Sequence, residues 1–497
     1  MLIGSVQLFL VSVGLTYFLG MTAAGLKVLR ESRDGGSPPR RAGWLLAVWS
    51  AQPVRRLIRP VSAARERLTG HLATAEQPPL RVAGGCAPED LAVYFLVPCL
   101  NEELVVEGTV RELLSDPRAR VLVIDDGSDD RTGELAAAVD PARVMIVRRE
   151  LPDARRGKGP ALNAGFARML QDADVRGVPV EQVIVCVMDA DGRLSPGALD
   201  QVLPLFSDPE VGGVQLPVRI RNRRGLLALM QDVEFWGLSA ISQFGRVKSG
   251  TVSLGGNGQF TRLCALLSLN RDPWQPSLTE DLDLALALAV KGWRLTTTPW
   301  AYVSQQAITS LKALVRQRTR WFQGHMASVQ WLPRLWSSRR LSHLGMLEMT
   351  LYLLVPWLLV LPWSVVWNYG LIVLVFRIAE GGQFAVFGGS LVQQAMVLLL
   401  WYGVSCLPSW LSGYLYFRQE RGAGFGRAVL LGHLLLVWNY LAFVCCWRAA
   451  YRMVAHRSGW DKTAREHELP RGRTETMAGL TLGPADRDDA LGRAYEN

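Results

Sequence analysis

Several familiar signatures are missing from this sequence, and each absence removes a class of function. No Gly-x-Gly-x-x-Gly follows the first strand-like run and no Gly-Lys-Ser/Thr loop occurs, which argues against a dinucleotide cofactor and against an ATPase. There is no zinc-knuckle spacing, RNA-binding aromatic motif or dimeric basic helix, so nucleic acid is not an expected partner despite a formal net charge of +10. The seven cysteines (Cys86, Cys99, Cys186, Cys264, Cys406, Cys445, Cys446) lack metal-binding spacing. Several lie in apolar runs, where a thiol behaves as a small hydrophobe, and the set agrees with a reducing compartment.

What is present is a mixture. The 497 residues leave room for two or three domain-sized parts, too apolar together for a plain soluble enzyme and too charged for a bundle wholly within a membrane. The basic residues gather between Arg30 and Arg67, in Arg316–Arg340 and in Arg448–Arg473, each beside an apolar stretch. That placement points to an anionic membrane surface.

Residues Leu2 to Leu26 carry no charge and are followed at once by Lys27, Arg30, Arg33, Arg40 and Arg41. The run suits a bilayer span of roughly 20 residues. Its positive charge follows the apolar core, which predicts an uncleaved anchor over residues 1–30 with its N-terminus outside and the next domain cytoplasmic. A basic, interfacial linker over 31–88 comes next, with Trp44–Arg67 as an amphipathic stretch. Three late apolar stretches, Met346–Phe376, Ser390–Phe417 and Ala428–Trp447, carry seven tryptophans suited to a membrane interface or a pore. Three simple crossings would leave the basic tail outside. Either the first stretch, interrupted by Pro356 and Pro362, makes two short passes, or one stretch does not cross fully. Between residues 308 and 344, apolar residues alternate with Lys312, Arg316, Arg318, Arg320, Arg334, Arg339 and Arg340, which reads as amphipathic helices on the cytoplasmic face.

From about Leu91 to Thr298 short β-branched runs alternate with helical stretches. Leu91–Val97, Val121–Ile124, Val144–Arg148 and Val183–Met188 are expected strands, with helices around Glu103–Ser115, Thr132–Val139 and Pro160–Gln171. The alternation predicts an α/β domain over 89–307, a mostly parallel sheet with helices on both faces, joined to transmembrane helices over 345–450. Polar clusters follow three strands: Pro98–Glu103, Asp125–Asp130 and Asp189-Ala190-Asp191-Gly192. All would project into one crevice beyond the strands' carboxyl ends.

That crevice holds what transfer of a sugar from a nucleotide diphosphate requires. Asp189 and Asp191 are hard oxygen ligands suited to Mg²⁺ or Mn²⁺ beside phosphate oxygens, or alternatively a solvated acidic turn. Thr279-Glu280-Asp281 precedes a helical run, where Thr279 could cap the helix and the acids offset its dipole. A carboxylate there can equally act as a general base, a role that falls on Asp281. Lys158, before a helix, could pair with diphosphate or simply belong to an exposed basic loop. Gln317 and Arg320 share a helix face with Trp321 adjacent, giving a phosphate clamp and a flat surface for a sugar, or an interfacial Arg/Trp pair.

With these residues in place, the chain resembles family 2 inverting glycosyltransferases of the processive, membrane-integrated kind, typified by cellulose, hyaluronan, chitin and poly-N-acetylglucosamine synthases. The resemblance covers Tyr94 to Trp460 and rests on an ordered set: Pro98–Glu102, Asp125-Asp126-Gly127, Lys158–Asn163, Asp189-Ala190-Asp191, Gly255–Gly258, Thr279-Glu280-Asp281 and Gln317–Trp321. It implies a GT-A fold and a metal-dependent hexosyltransferase. It implies that Asn101, Glu102 and Asp126 bind the nucleoside, that Lys158, Gln317 and Arg320 serve the donor's diphosphate, and that Asp191 ligates the metal supported by Asp189. Asp281 is then the base, Trp321 stacks on the acceptor, and Gly256 and Asn257 belong to the acceptor loop. The expected activity is extension of a β-linked polysaccharide from a nucleotide-diphospho-sugar, a UDP-sugar above all, with passage through the cell membrane. A single addition to a lipid such as polyprenyl phosphate is the alternative. Ser253–Gln259 departs from the Phe-Phe-Cys-Gly-Ser/Thr loop of cellulose synthases, and the polar tail over 451–497 has little apolar content to fold around.

Overall fold

The computed structural model describes residues 16–30, 86–379, 390–420 and 424–457. The first half of the expected N-terminal anchor, the basic linker almost entirely and most of the polar tail lie outside these residues.

Seven strands form the main sheet in the order β3-β2-β1-β4-β8-β6-β9. They are β1 (Ala92–Cys99), β2 (Ala119–Asp125), β3 (Val144–Arg148), β4 (Val183–Val187), β6 (Val211–Gln215), β8 (Gln259–Arg262) and β9 (Arg294–Thr297). A small second sheet joins β5 (Arg193–Leu194), β10 (Val303–Gln305) and β7 (Val218–Ile220). The four strands expected from periodicity are present to within two residues at either end. The period of two explains the packing: Val93, Phe95 and Val97 of β1 enter one core while Tyr94 and Leu96 enter the other. A strand buried on both faces reads as a continuous apolar run, as β1 does.

The sheet is mostly parallel, but β8 runs antiparallel to both β4 and β6. Because β1, β2 and β4 are parallel neighbours, their carboxyl ends open on a single edge. Helices α1 (residues 16–30), α2 (Val106–Leu113), α3 (Thr132–Ala137) and α4 (Lys158–Val175) precede β4. The expected helix at Glu103 starts three residues later, because the Glu102 carbonyl accepts the N–H groups of Val105 and Val106.

Two further elements close the site. Helix α5 runs from Leu226 to Arg246 with a π-helical segment, Val233–Ser239, in its middle. Helix α6 (Glu280–Lys291) ends where Gly292 takes a left-handed conformation, φ 94°. The Thr279 side chain makes no capping bond there.

Helix α7 (Leu311–Ala327) leads to the apolar elements. Helix α8 begins at His343 and passes through a π-helical turn, Val355–Val360, into Leu361–Ala379. The chain therefore does not reverse at Pro356; the wide turn absorbs the missing N–H. Helices α9 (Leu391–Gln419) and α10 (Phe425–Val454) follow. Among the described residues two helices, His343–Val373 and Phe425–Val454, are long and apolar enough to cross a membrane.

The apolar helices share a core with the sheet: Leu415, Tyr416, Leu431 and Leu435 belong to the same cluster as Tyr94 and Leu96. Asp232 of α5, fully buried, secures the junction. It pairs with Arg219 at 3.1 Å and accepts the Tyr416 hydroxyl at 2.9 Å, while Glu420 pairs with both Arg219 and Arg223 at 2.6 Å. Charges this deep persist only when partnered, so loss of either side would leave a buried charge exposed to nothing.

Candidate active site

The loops after β1 and β2 hold each other. The Asn101 N–H donates to Ser128 Oγ at 3.0 Å, the Asp129 N–H donates to Asn101 Oδ1 at 2.8 Å, and the Glu102 N–H donates to Thr132 Oγ1 at 2.7 Å. Asn101 takes a left-handed backbone, φ 54°, as asparagine tolerates better than most residues. Asp125 is spent on architecture, accepting the Ser128 N–H and pairing with Arg148. Asp126 instead faces a cavity, with Arg149 bonded to it. Burial raises its pKa above the ordinary aspartate value even though Arg149 opposes the rise.

That cavity, of about 1320 Å³, is the site. Glu102, Asp126, Lys158, Asp189, Gly256, Asn257, Asp281, Gln317, Arg320 and Trp321 all line it. Asn101 and Asp191 do not. Asn101 is exposed and its amide is engaged by the Asp129 N–H, while Asp191 is fully buried with Oδ2 accepting the Gln306 N–H at 3.0 Å.

At the centre, Lys158 Nζ donates to Asp189 Oδ1 at 2.6 Å and to the Gly256 carbonyl at 2.7 Å. A Cβ added to Gly256 would stand 2.7 Å from Lys158 Nζ and 3.6 Å from Asp281 Oδ2. The missing side chain is thus what leaves a polar hollow between the lysine and Asp281. Asn257 fixes this loop by accepting the Asp189 N–H at 3.2 Å and donating to Gln305 at 3.1 Å. Gln215 ties the same loop from beneath, donating to the Asn257 carbonyl at 2.8 Å and accepting the Gly255 N–H at 2.7 Å.

The electrostatics follow from crowding. Burial raises the pKa of Asp281, with Lys158 opposing; burial also raises that of Glu280, and the adjacent Asp281 charge adds to it. For Lys158, burial acts to lower the pKa, but Asp189, Glu280 and Asp281 together leave it raised and the ammonium charged. The cluster therefore combines one fixed cation with carboxylates that hold protons more tightly than usual.

Helix α7 brings its motif to this cluster through a glycine. A Cβ on Gly324 would come within 2.5 Å of Thr279 Cγ2 and Oγ1, so only glycine permits this approach to the Thr279–Asp281 turn. Trp321 then packs edge-on to Phe235 (centroids 6.2 Å apart), and the Arg318 guanidinium lies 4.2 Å from its ring centroid. Arg318 donates to Glu234 Oε2 at 2.9 Å, and Trp438 of α10 donates to the same oxygen at 3.1 Å. Sequence reading left Arg318 and Gly324 without a role, although both sit in or beside the motif string. Glu234 and Gln215 offered no local signal, whereas Asn163 closes the Lys158–Asn163 string without a role of its own assigned there. Asn163 clamps the approach to α6 by exchanging two hydrogen bonds with the Trp274 backbone, at 2.8 and 3.1 Å.

A divalent metal fits this donor set only in part. Asp189 presents a carboxylate to the cavity and Asp191 follows two residues later, but the described residues hold no group of three or more potential metal-ligating side chains. One or two carboxylates completed by substrate phosphates is an ordinary arrangement for Mg²⁺.

Residues 88–324 match the family model described as "Glycosyltransferase like family 2". A β-monoglucosyldiacylglycerol synthase of Synechocystis sp. is 31% identical over 297 residues, 56% of this chain and 56% of that protein. A second, from Trichormus variabilis, is 33% identical over 248 residues, 47% of this chain and 48% of that protein. A poly-β-1,6-N-acetyl-D-glucosamine synthase of Staphylococcus aureus is 28% identical over 236 residues, 47% of this chain and 54% of that protein. The chain thus spans about half the length of the curated relatives it matches. Among solved structures, a mannosyltransferase of Pyrobaculum calidifontis in complex with GDP-mannose and Mn²⁺ is 16% identical with a TM-score of 0.43, covering 88% of this chain and 99% of that one. The segment that builds the sheet and the cavity's polar end, residues 88–324, is thus the part of the chain that is similar to family 2 glycosyltransferases, and its sheet is mostly parallel.

Proposed function

We propose that the chain is a membrane-bound inverting glycosyltransferase that moves one sugar from a nucleotide-diphospho-sugar to a neutral lipid alcohol. The observation that carries this reading is the continuity of one cavity, from Asp126 through Lys158 and Asp281 to Trp321 and on to residues of α8, α9 and α10.

In this mechanism Glu102 and Asp126 receive the nucleoside, and Lys158 and Arg320 neutralise the diphosphate. Asp189, with Asp191 behind it, would hold a divalent cation, which when bound supplies Lewis-acid stabilisation of the leaving group. Asp281 takes the proton of the acceptor hydroxyl. The oxygen bonds to the anomeric carbon as the bond from that carbon to the diphosphate breaks, so an α-linked donor yields a β-linked product and nucleoside diphosphate. The raised pKa of Asp281 suits a base better than an ordinary carboxylate would. Trp321 stacks on the acceptor, with Gly256 and Asn257 framing the hollow.

Two features favour a neutral lipid. An acceptor phosphate would bring negative charge against Asp189, Glu280 and Asp281 and would need no base. The cavity's wall on the apolar helices is also poorly equipped for a glycan: beside Leu359, Val360, Leu415, Leu435 and Met453, the polar groups of Asn439 and Ser412 are already bonded within the helices. Asn439 donates to Ser409, and the Ser412 hydroxyl donates to the Pro408 carbonyl. The tryptophans of the apolar helices serve packing: Trp357 donates to the Met326 carbonyl, Trp367 to Tyr440 and Trp447 to Ser364, while Trp410 packs on Tyr402 and His433. Among the described residues Trp321 is the one tryptophan on the cavity wall. The names of the relatives that make a glucosyldiacylglycerol accord with this reading.

A processive polysaccharide synthase that passes its product through a multi-pass bundle is the second reading. Trp321, a platform useful to a growing chain, and the poly-N-acetylglucosamine synthase relatives favour it.

Both place the catalytic domain on the cytoplasmic face. The test is to incubate the detergent-purified chain with radiolabelled nucleotide sugars, Mg²⁺ or Mn²⁺ and diacylglycerol, then partition and size the product. One solvent-extractable monoglycosyl lipid is expected; a water-soluble polymer would transfer the assignment to the second reading, and no product with any donor would defeat both.

A further inference from the structure

Away from the catalytic cavity, helices α7 and α10 enclose a cleft of about 420 Å³ lined by Leu311, Lys312, Val315, Arg316 and Arg448. The helices are locked together beside it, since Cys445 donates to the Val315 carbonyl at 3.6 Å and Arg452 donates to Gln323 at 2.7 Å. Three cations therefore converge from two elements on one hollow. None of the three forms an ion pair or hydrogen bond with a described residue, and the first turn of α7 contains no acid.

This arrangement opposes every local preference. Lys312 and Arg316 stand four apart on one helix face, where like charges repel. Lys312 also sits in the first turn of α7, at the positive end of the helix dipole. Arg448 adds a third positive charge from across the cleft. An anion between them would turn each of these repulsions into an attraction.

The surroundings identify the kind of anion. Leu311 and Val315 give the cleft apolar walls. Leu311 at the cleft and Tyr451, three residues beyond Arg448 on α10, are more than half exposed, at 58% and 62%. A Tyr one turn from a cation at the end of an apolar helix matches the headgroup layer of a bilayer. Free inorganic phosphate would gain nothing from the apolar walls.

The geometry points to a headgroup site for an anionic phospholipid, its phosphodiester held by Lys312, Arg316 and Arg448 and its acyl chains running along Leu311 and Val315. The site is separate from the catalytic cavity, and it rests on the membrane placement proposed above. Its consequence is that the α7 motif helix is seated against α10 more firmly in anionic than in zwitterionic lipid.

The test uses the full chain in detergent, with lipid binding followed by native mass spectrometry. Each cation near an anionic surface favours the anionic lipid about fivefold, so wild type is expected to bind phosphatidylglycerol about 100-fold more tightly than K312Q/R316Q/R448Q. Both should bind phosphatidylcholine equally, and the charge-conserving K312R/R316K/R448K should recover most of the difference. Nucleotide-sugar affinity unchanged in the triple variant shows that it is folded. Equal phosphatidylglycerol binding by wild type and K312Q/R316Q/R448Q overturns the site, as does displacement of the lipid by inorganic phosphate at equal concentration. Failure of the membrane reading looks different: wild type would then stay soluble without detergent and fail to float with phosphatidylcholine vesicles.

Discussion

The guanidinium of Arg318 lies 4.2 Å from the ring centroid of Trp321, and so one face of that ring is already taken. Arg318 is in turn anchored by Glu234, which also accepts from Trp438 of α10. Trp321, the proposed acceptor platform, is thus oriented by a chain of contacts reaching into the apolar helices. Glu234→Gln and Arg318→Lys should raise the acceptor KM about 10-fold while the donor KM stays within about twofold, since misorientation costs transfer without touching the nucleotide. Steady-state kinetics with each substrate varied will show it; equal loss for both substrates would mean that the pair only holds the fold.

Asp281→Asn should lower transfer by about 10²–10⁴-fold, the usual worth of a positioned base. Nucleotide affinity should be close to normal. Because burial raises the pKa of Asp281, the native state binds its proton more tightly than the unfolded chain does. Stability therefore falls as pH rises from the unfolded carboxylate value through the raised native one. Asn removes that loss, so thermal melts above the raised value should show Asp281→Asn at least as stable as wild type; a lower melting temperature would contradict the electrostatic account.

The pH profile of transfer carries a related expectation. The acidic limb should lie above the ordinary carboxylate range, because Asp281 must be ionised to act. Lys158 holds that pKa down, so in Lys158→Met the limb should move to higher pH along with weaker donor binding. An unmoved limb would separate the two residues.

Removing divalent metal with a chelator should weaken donor binding by about 10–100-fold, as should Asp189→Asn, and the two effects should not add. Calorimetry of nucleoside diphosphate binding with and without Mn²⁺ tests this. Additive losses would mean that Asp189 serves Lys158 rather than a metal.

Gly324→Ala should cost about 1–3 kcal/mol and reduce transfer, because the new methyl meets Thr279 at 2.5 Å and pushes α7 away from the Asp281 turn. Gly403→Ala, with nothing within 4 Å of the added carbon, is the control and should change neither.

Much of this was legible in sequence because it is local. The four apolar runs became β1 to β4, and the acidic clusters behind β1, β2 and β4 share an edge because those strands are parallel neighbours. What escaped was set by distant partners. Asp189 and Asp191 look equivalent two residues apart, yet the turn closed by the Gly192 N–H on the Asp189 carbonyl sends one to the cavity and the other to the Gln306 N–H. Asn101, expected at the nucleoside, has its side-chain oxygen on the Asp129 N–H of the adjoining loop. Glu234 is unremarkable in sequence and gains its meaning from Arg318, 84 positions away. The antiparallel β8 has four residues and no periodicity long enough to mark it.

The most direct test of the central claim is release of nucleoside diphosphate by the chain reconstituted in lipid nanodiscs, with diacylglycerol titrated into the bilayer. If one cavity joins donor and lipid acceptor, release should rise with diacylglycerol until it saturates, and Asp281→Asn should abolish the rise while still binding nucleotide. Release indifferent to diacylglycerol, or an equal rise in Asp281→Asn, would contradict it.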